Sequence, residues 1–333
     1  MKTFALNRVF TTLAALGAAL AMASYATSAA AQTSEFPSKA VTIVVPFPAG
    51  GVSDQLARGI GQKMAESMKV PVVVDNRPGA GAQIAANLLK QAPADGYTVL
   101  IGDIGAFALN TSLYPKLSYD PLKDFTPLAR VALAPSLLVV PANSPFNTVD
   151  ELVQAAKARP GMLTMASQSS GSGGHLFAEM LRSQAGATFN HIPYRGSAPA
   201  LMDMVSSRVD AFFDPLITSG PFVKEGKLKA LAIGAAQRSP VFPQVSTLGE
   251  LGYERVSLVA WFGMAVKAGT PAPVVKRLSD EVIKALNNPE LAKRFTDQGL
   301  DVSPQASPVF RTFMESEISR WGKVIKDAGI VLE

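Results

Sequence analysis

Short apolar runs alternate along this chain with stretches whose apolar positions recur every three or four residues. The runs fall at 41–47, 72–75, 98–102, 137–140, 163–167, 189–194, 209–213, 229–233 and 258–266. Most are nearly continuous in Val, Ile, Leu and Phe, the pattern of strands covered on both faces. The intervening stretches carry helix signals. Thr148 and Glu151 form a capping box ahead of Leu152, Val153 and Ala156, and Gly161 follows the end. Ser197 is expected to cap a helix with Pro199 in its first turn, and Thr270-Pro271 and Asn288-Pro289 open two more. Ser307-Pro308 opens the last, with Phe310, Met314, Ile318, Trp321 and Ile325 at helical spacing. Strand and helix alternate throughout, which predicts an α/β fold.

Residues 129–145 and 253–269 carry no helical pattern and read as extended crossings. Two crossings divide the chain into a lobe of 32–135 plus 252–333 and a lobe of 136–251. The last helices then pack back on the first lobe. A cleft between lobes joined twice suits a hinged binding protein.

The N-terminus reads as a leader. Lys2 and Arg8 precede an apolar, alanine-rich stretch over 9–23, and small residues end at Ala29-Ala30-Ala31. This is a secretory signal peptide over residues 1–31, so the protein is expected to be exported. The chain has 0 cysteines, which removes disulfides, thiolate metal sites, thiol nucleophiles and a lipidated cysteine anchor. Net charge is +5, with Lys and Arg scattered among acids. No basic stripe with interleaved aromatics marks a nucleic-acid surface.

Two junctions carry the candidate chemistry. Residues 42–54 and 163–175 each run from an apolar strand through glycine to a helix start. Glycine allows close backbone approach, and a helix start offers unpaired N–H donors and a partial positive charge. Gly50 and Gly51 on one lobe, with Gly171 and Gly173 on the other, would grip one small anion. Neither loop carries Lys or Arg, so dipoles, hydroxyls and water must hold the anion. That suits one or two carboxylates better than three. Arg195 is the nearby cation, free to pair with a ligand or with an interlobe or surface acid. His175 sits at a helix start, where it lines the cleft or only begins the helix. A serine hydrolase using Ser169 or Ser170 with His175 or His191 is the competing class. No G-x-S-x-G elbow supports it, and no catalytic residue, metal ligand or cofactor motif is assigned. The segment 79–84 imitates a dinucleotide fingerprint, but Ile84 stands at the third glycine position.

In this order the chain contains IVVPFPAGGVSD (43–54), VVDNRPGAG (73–81), PADGYTVL (93–100), YDPLKDF (119–125), IPYRGSAPAL (192–201), WFG (261–263) and RWGKVIKDAG (320–329). With these motifs it resembles the substrate-binding proteins of tripartite tricarboxylate transporters, of Bug or TctC type. The resemblance implies a two-lobed periplasmic-binding-protein fold of type II, a Venus flytrap with two interlobe crossings. It implies a monomeric receptor that delivers a small organic carboxylate to membrane permease subunits, or presents it to a sensor kinase. Carried to this sequence, it places the ligand against Pro46–Ser53, including Phe47, Ala49, Gly50, Gly51 and Ser53, with Asp54 nearby. The opposite seat spans Ser167–Gly174, including Ser169, Ser170, Gly171 and Gly173, with Ser197 and Asp214 close. Asp103 and Phe107 depart from the family pattern. Asp103 either faces the far end of the ligand, favouring an amine, amide or hydroxyl, or caps the next helix. Phe47, with Phe107 as a second candidate, would pack on the ligand's apolar middle.

Overall fold

Strand β1 (Val41–Val45) begins the first sheet, with Val41, Ile43, Val44 and Val45 wholly buried. Burying one such side chain stabilises by roughly 1.5–3 kcal/mol, so a run of them fixes the strand in the sheet's interior. The computed structural model describes residues 36–254, 256 and 258–327. The leader expected over 1–31 lies outside the described residues.

From β1 the chain enters α1 (Val52–Met68) and returns as β2 (Val72–Asn76). Helix α2 (Gln83–Gln91) and β3 (Thr98–Asp103) follow. A π turn at Gly105–Leu109 runs into a short helix at Asn110–Leu113 before β4 (Phe125–Ala134). Next come β5 (Ser136–Pro141), α3 (Val149–Ala158), β6 (Thr164–Ser167), α4 (Gly173–Ala185) and β7 (Asn190–Pro193). They are followed by α5 (Ser197–Val205), β8 (Ala211–Pro215), α6 (Leu216–Lys224) and β9 (Leu228–Ile233). Strand β10 (Ala260–Lys267), α7 (Ala272–Leu286), α8 (Pro289–Asp297), β11 (Gln305–Ala306) and α9 (Ser307–Asp327) complete the described chain.

These strands form two sheets, ordered β11-β4-β10-β3-β1-β2 and β7-β6-β8-β5-β9. In each, the strands that feed a glycine loop pair in parallel: β1 with β2 and β3, and β6 with β7 and β8. Antiparallel strands fill the rest. The fold class is therefore α/β with mixed sheets. Ligand sites in parallel α/β units lie beyond the strand C-terminal ends, which here are Val45, Asp103, Ser167 and Pro215.

The chain passes between the sheets twice. The first passage is Pro135, one residue between the ends of β4 and β5. The Pro135 carbonyl accepts the Leu216 N–H at 2.8 Å. The second lies between Ile233 and Ala260. The segment expected as an extended crossing over 129–145 is mostly strand, the end of β4 and all of β5. It lacks a helix because it is sheet.

Helix α9 packs beside the first sheet through an aromatic cluster. Phe107 stacks on Trp261 with centroids 6.3 Å apart, and Phe310 meets both rings edge-on. Gly263 makes room, since a Cβ there would lie 2.2 Å from the Phe310 ring. Trp261 and Trp321 each donate an indole N–H to Oε2 of Glu317 at 2.9 Å. One buried carboxylate thus ties the last helix to β10. Among the described residues, no helix is long and apolar enough to cross a membrane.

Candidate functional site

The loop after β1 is held by Asp54. Its carboxylate accepts the Gly50 N–H at 3.0 Å, Arg58 at 3.0 and 2.9 Å, and the Asn76 amide at 3.0 Å. Asn76 also donates to the Phe47 carbonyl. Burial pushes the Asp54 carboxyl up, but Arg58, the Gly50 N–H and Asn76 outweigh it and hold it below its usual value. Asp54 is thus occupied within the loop. Gly50 takes φ 88°, which favours glycine. Gly51 then caps α1, whose first N–H groups have no partner within the helix. Ser53 is 1% exposed, and its Oγ has no hydrogen-bond partner. A buried unpaired hydroxyl is costly unless something else satisfies it.

The loop after β6 is more tightly built. Ser172 caps α4 and donates to Gln168 Oε1 and the Ser169 carbonyl. Gln168 donates to the Phe213 carbonyl and to Asp214. A Cβ at Gly174 would lie 2.3 Å from Gln168 Oε1 and 2.8 Å from the Phe213 carbonyl, so only glycine fits there. The Gly171 N–H donates to His175 Nδ1. His191 meets Ser167 Oγ at 2.6 Å, and that hydroxyl reaches the Ser169 carbonyl. Burial lowers both imidazoles to about 4, so both are neutral near pH 7.

Asp214, next to last in β8, has no exposed surface. It accepts from Gln168 and Thr218, and Ser197 and Ser219 bond to it as well. Burial raises its carboxyl to about 6 against these hydrogen bonds. Helix α5 starts at Ser197 with Gly196 at the cap, one residue earlier than expected. The Ser197 hydroxyl therefore orients on Asp214 rather than capping its own helix.

Asp103 ends β3, where it pairs with Phe262 of β10. It is 7% exposed, and its Oδ1 accepts the Ala106 N–H at 3.1 Å. Burial raises its carboxyl to about 6, opposed by the N–H groups of Ala106 and Gly105. Asp103 both caps the following turn and lines the cavity, so the two roles weighed for it coexist. Phe107 belongs instead to the aromatic core, with 0% exposure, and is not among the cavity walls.

One cavity joins these elements. From the first sheet and its loops come Phe47, Gly51, Val52, Ser53, Asp103, Ala260 and Phe262. From the second come Ser136, Gln168, Gly173, Gly174, Gly196, Ser197 and Pro215. Of the residues singled out from sequence, Phe47, Gly51, Ser53, Asp103, Gly173 and Ser197 line it. Asp54, Gly50, Gly171, His175 and Asp214 stand behind the walls and hold them, and Ala49 lies in the first loop outside the lining. Ser169, Ser170 and Arg195 line a neighbouring groove. Gln168 lies within the seat expected over Ser167–Gly174 and Phe262 within the motif 261–263, though neither is named there by itself, and Ser136 is not expected at the site at all. Gln168 sits directly before the serine–glycine loop, and its position was legible. Ser136 and Phe262 enter through strand pairing, for which the sequence carries no local signal.

Comparison with known proteins places the chain. The model of the tripartite tricarboxylate transporter family receptor matches residues 56–330. The chain belongs to this family. Protein BugT of Bordetella pertussis is 34% identical over 322 residues, covering 96% of this chain and 98% of that protein. MatC from Rhodopseudomonas palustris, solved with bound malate, is 34% identical with a TM-score of 0.84, covering 87% of this chain and 100% of that one. An R. palustris protein solved with adipate is 35% identical with a TM-score of 0.86, covering 90% and 100%. This family of receptors has the two-lobed fold of periplasmic binding proteins, the fold expected from the motifs.

Proposed function

We propose that this receptor-family chain closes on a small organic mono- or dicarboxylate and hands it to the permease subunits of a tripartite transporter. It does so in the periplasm, as a monomer and without catalysis. The lobes are 32–135 with 252–333, and 136–251. The observation that carries this reading is the cavity between the first turns of α1 and α4, one from each sheet. Both helices begin at glycines that line the cavity, and the unpaired Ser53 hydroxyl adds a donor. Each helix-terminus contact with an anion contributes typically 0.3–2 kcal/mol, so hydroxyls must assist. Malate and adipate in the related structures support the ligand class.

Asp103 is the charged residue of the cavity wall. A second carboxylate held inside this cavity would be repelled by it, whereas an amine, amide or hydroxyl would be welcomed. We therefore assign the part of the ligand beside Asp103 a donor. A hydrolase is disfavoured by the hydrogen bonding. Among the described residues no bond joins Ser169 or Ser170 Oγ to an imidazole, and the serine that does meet His191 is Ser167, with no exposed surface.

The test is a thermal-shift screen of organic acids, amino acids and aromatic carboxylates, with a parallel incubation in generic esters and peptides. A ligand at 100 times its Kd should stabilise by about 2.7 kcal/mol. Turnover of an ester with no stabilisation by any acid would reverse the assignment.

A further inference from the structure

The inner cavity and a second groove share two wall residues, Phe47 and Gln168. The groove is walled by Pro78–Ile84 and Tyr114 on one side and by Ser169, Ser170 and Pro193–Arg195 on the other. The inner cavity has a volume of about 40 Å³ and the groove about 470 Å³. On this scale a water needs roughly 10–15 Å³. The inner space therefore takes a carboxylate head group, and the groove has room for the remainder of a larger molecule.

The groove carries a single charge. Beside the polar Gln83, Gln168, Ser169 and Ser170, its walls are prolines, glycines, alanines, Ile84 and the rings of Phe47, Tyr114 and Tyr194, and Arg195 is its one charged residue. Arg195 is exposed, and among the described residues no hydrogen bond or ion pair engages it. The wall facing it is held in place at some cost. Ala80, Gly81 and Ala82 take φ of 48°, 58° and 75° in succession, and left-handed backbone costs a non-glycine residue roughly 1–2 kcal/mol. At Gly81 a Cβ would lie 2.7 Å from the Tyr114 hydroxyl and 3.0 Å from the Ser170 carbonyl. The turn thus closes directly onto the loop after β6, and the Tyr114 hydroxyl donates to Ser170 O at 3.4 Å.

We propose that this groove is an outer subsite that takes the far half of an elongated diacid, with Arg195 pairing its distal carboxylate. The proposal rests on the receptor reading above and extends it: the proximal carboxylate occupies the inner cavity, the chain passes Phe47 and Gln168, and length selects the ligand. Arg195 acts here as a specificity residue, since its guanidinium matches a carboxylate in two-point geometry.

Calorimetric affinities for succinate, adipate and azelate, each against the monoacid of equal length, test it in wild type, Arg195→Gln and Arg195→Lys. In the wild type, the preference for diacid over monoacid should grow from succinate to azelate. Arg195→Gln should weaken the longer diacids by about tenfold, the loss of one charge-assisted contact, and leave the monoacids unchanged. Arg195→Lys should recover part of the loss. Equal weakening of monoacids and diacids, or no effect on either, overturns the subsite and leaves the receptor reading standing. If Gly173→Val fails to abolish monoacid binding as well, the inner site is wrong too. Unchanged melting of the Arg195 variants shows that folding is not the cause.

Discussion

The imidazoles of His175 and His191 lie parallel, with ring centroids 3.9 Å apart. They are the chain's two histidines, and both are bonded to the segment leading into α4. Stacked this closely, they can share the space only while neutral. The acid whose charge acts on His191 is Glu179 of α4, which is engaged by Arg182 at 2.7 Å.

Protonating His175 at Nδ1 removes the acceptor for the Gly171 N–H, and a second charge would face the first. Their folded pKa of about 4 lies below the ordinary 6.5, so the native state binds fewer protons than the unfolded one. Their contribution to stability is complete above 6.5 and is lost as pH falls toward 4. Proton NMR of the two imidazoles should give midpoints near 4, the second suppressed by the first. A free titration near 6.5 would contradict the stacked neutral pair.

Asp103 runs the opposite way. Its carboxyl sits at about 6 against 3.8, so the native state holds the extra proton between those values. Its destabilising effect grows as pH rises from 3.8 through 6. Asp103→Asn keeps an oxygen for the Ala106 N–H and removes the charge. Its Tm should exceed wild type at pH 7 and approach it near pH 4. The same variant should weaken an amine-bearing ligand and improve a plain dicarboxylate. If citrate binds best and Asp103→Asn changes nothing, the wall has been assigned wrongly.

The glycine seats predict a split between folding and binding. Gly51 has open space, the nearest atom to a Cβ there being the Pro48 carbonyl at 3.7 Å. At Gly173 a Cβ would press Leu258 at 3.2 Å. Valine at either position should abolish carboxylate binding, with a stability loss of about 1–3 kcal/mol at Gly173. Gly174→Ala, by contrast, meets the Phe213 carbonyl and should damage folding itself. Melting curves beside titrations separate the two effects, and normal affinity in both valine variants would remove the backbone seats.

Glu317→Ala leaves two indole N–H groups buried without an acceptor, at about 1–3 kcal/mol each. Denaturant unfolding should show a loss of roughly 2–6 kcal/mol, and Glu317→Gln, which keeps an acceptor oxygen, should lose less. Equal losses in the two variants would mean that the indole bonds contribute nothing.

Much of this was legible in the chain. Continuous apolar runs marked nine of the strands, and Thr148, Asn288 and Ser307 marked helix starts, because burial and capping are local demands. Strand β4 was missed because Thr126, Pro127 and Arg130 interrupt its apolar pattern. Its pairing with β10 and β11 supplies what local propensity lacks. At the site, glycine loops announce themselves, since few other residues fit. The division of labour among polar residues does not. Whether Asp54 or Asp214 meets a ligand or serves a neighbour depends on Arg58, Asn76, Gln168 and Thr218, partners up to 46 residues away. The same holds for Phe107, whose core role comes from Trp261 and Phe310.

The first passage between the sheets is a single residue, and that residue is proline. Its ring fixes φ and restricts Ala134 before it, while Leu216 grips its carbonyl. Such a joint resembles a door pin, and the second passage, whose Leu248 N–H bonds back to the Ile233 carbonyl, is the longer strap beside it. Rotation about a pin displaces nearby points little and distant points much. Ser136, next to Pro135, would keep its place in the cavity wall as the molecule opens. In the closure proposed above, Tyr114 and Ser170, linked by one long hydrogen bond, would part on opening, making that bond a gauge of how far the door has swung.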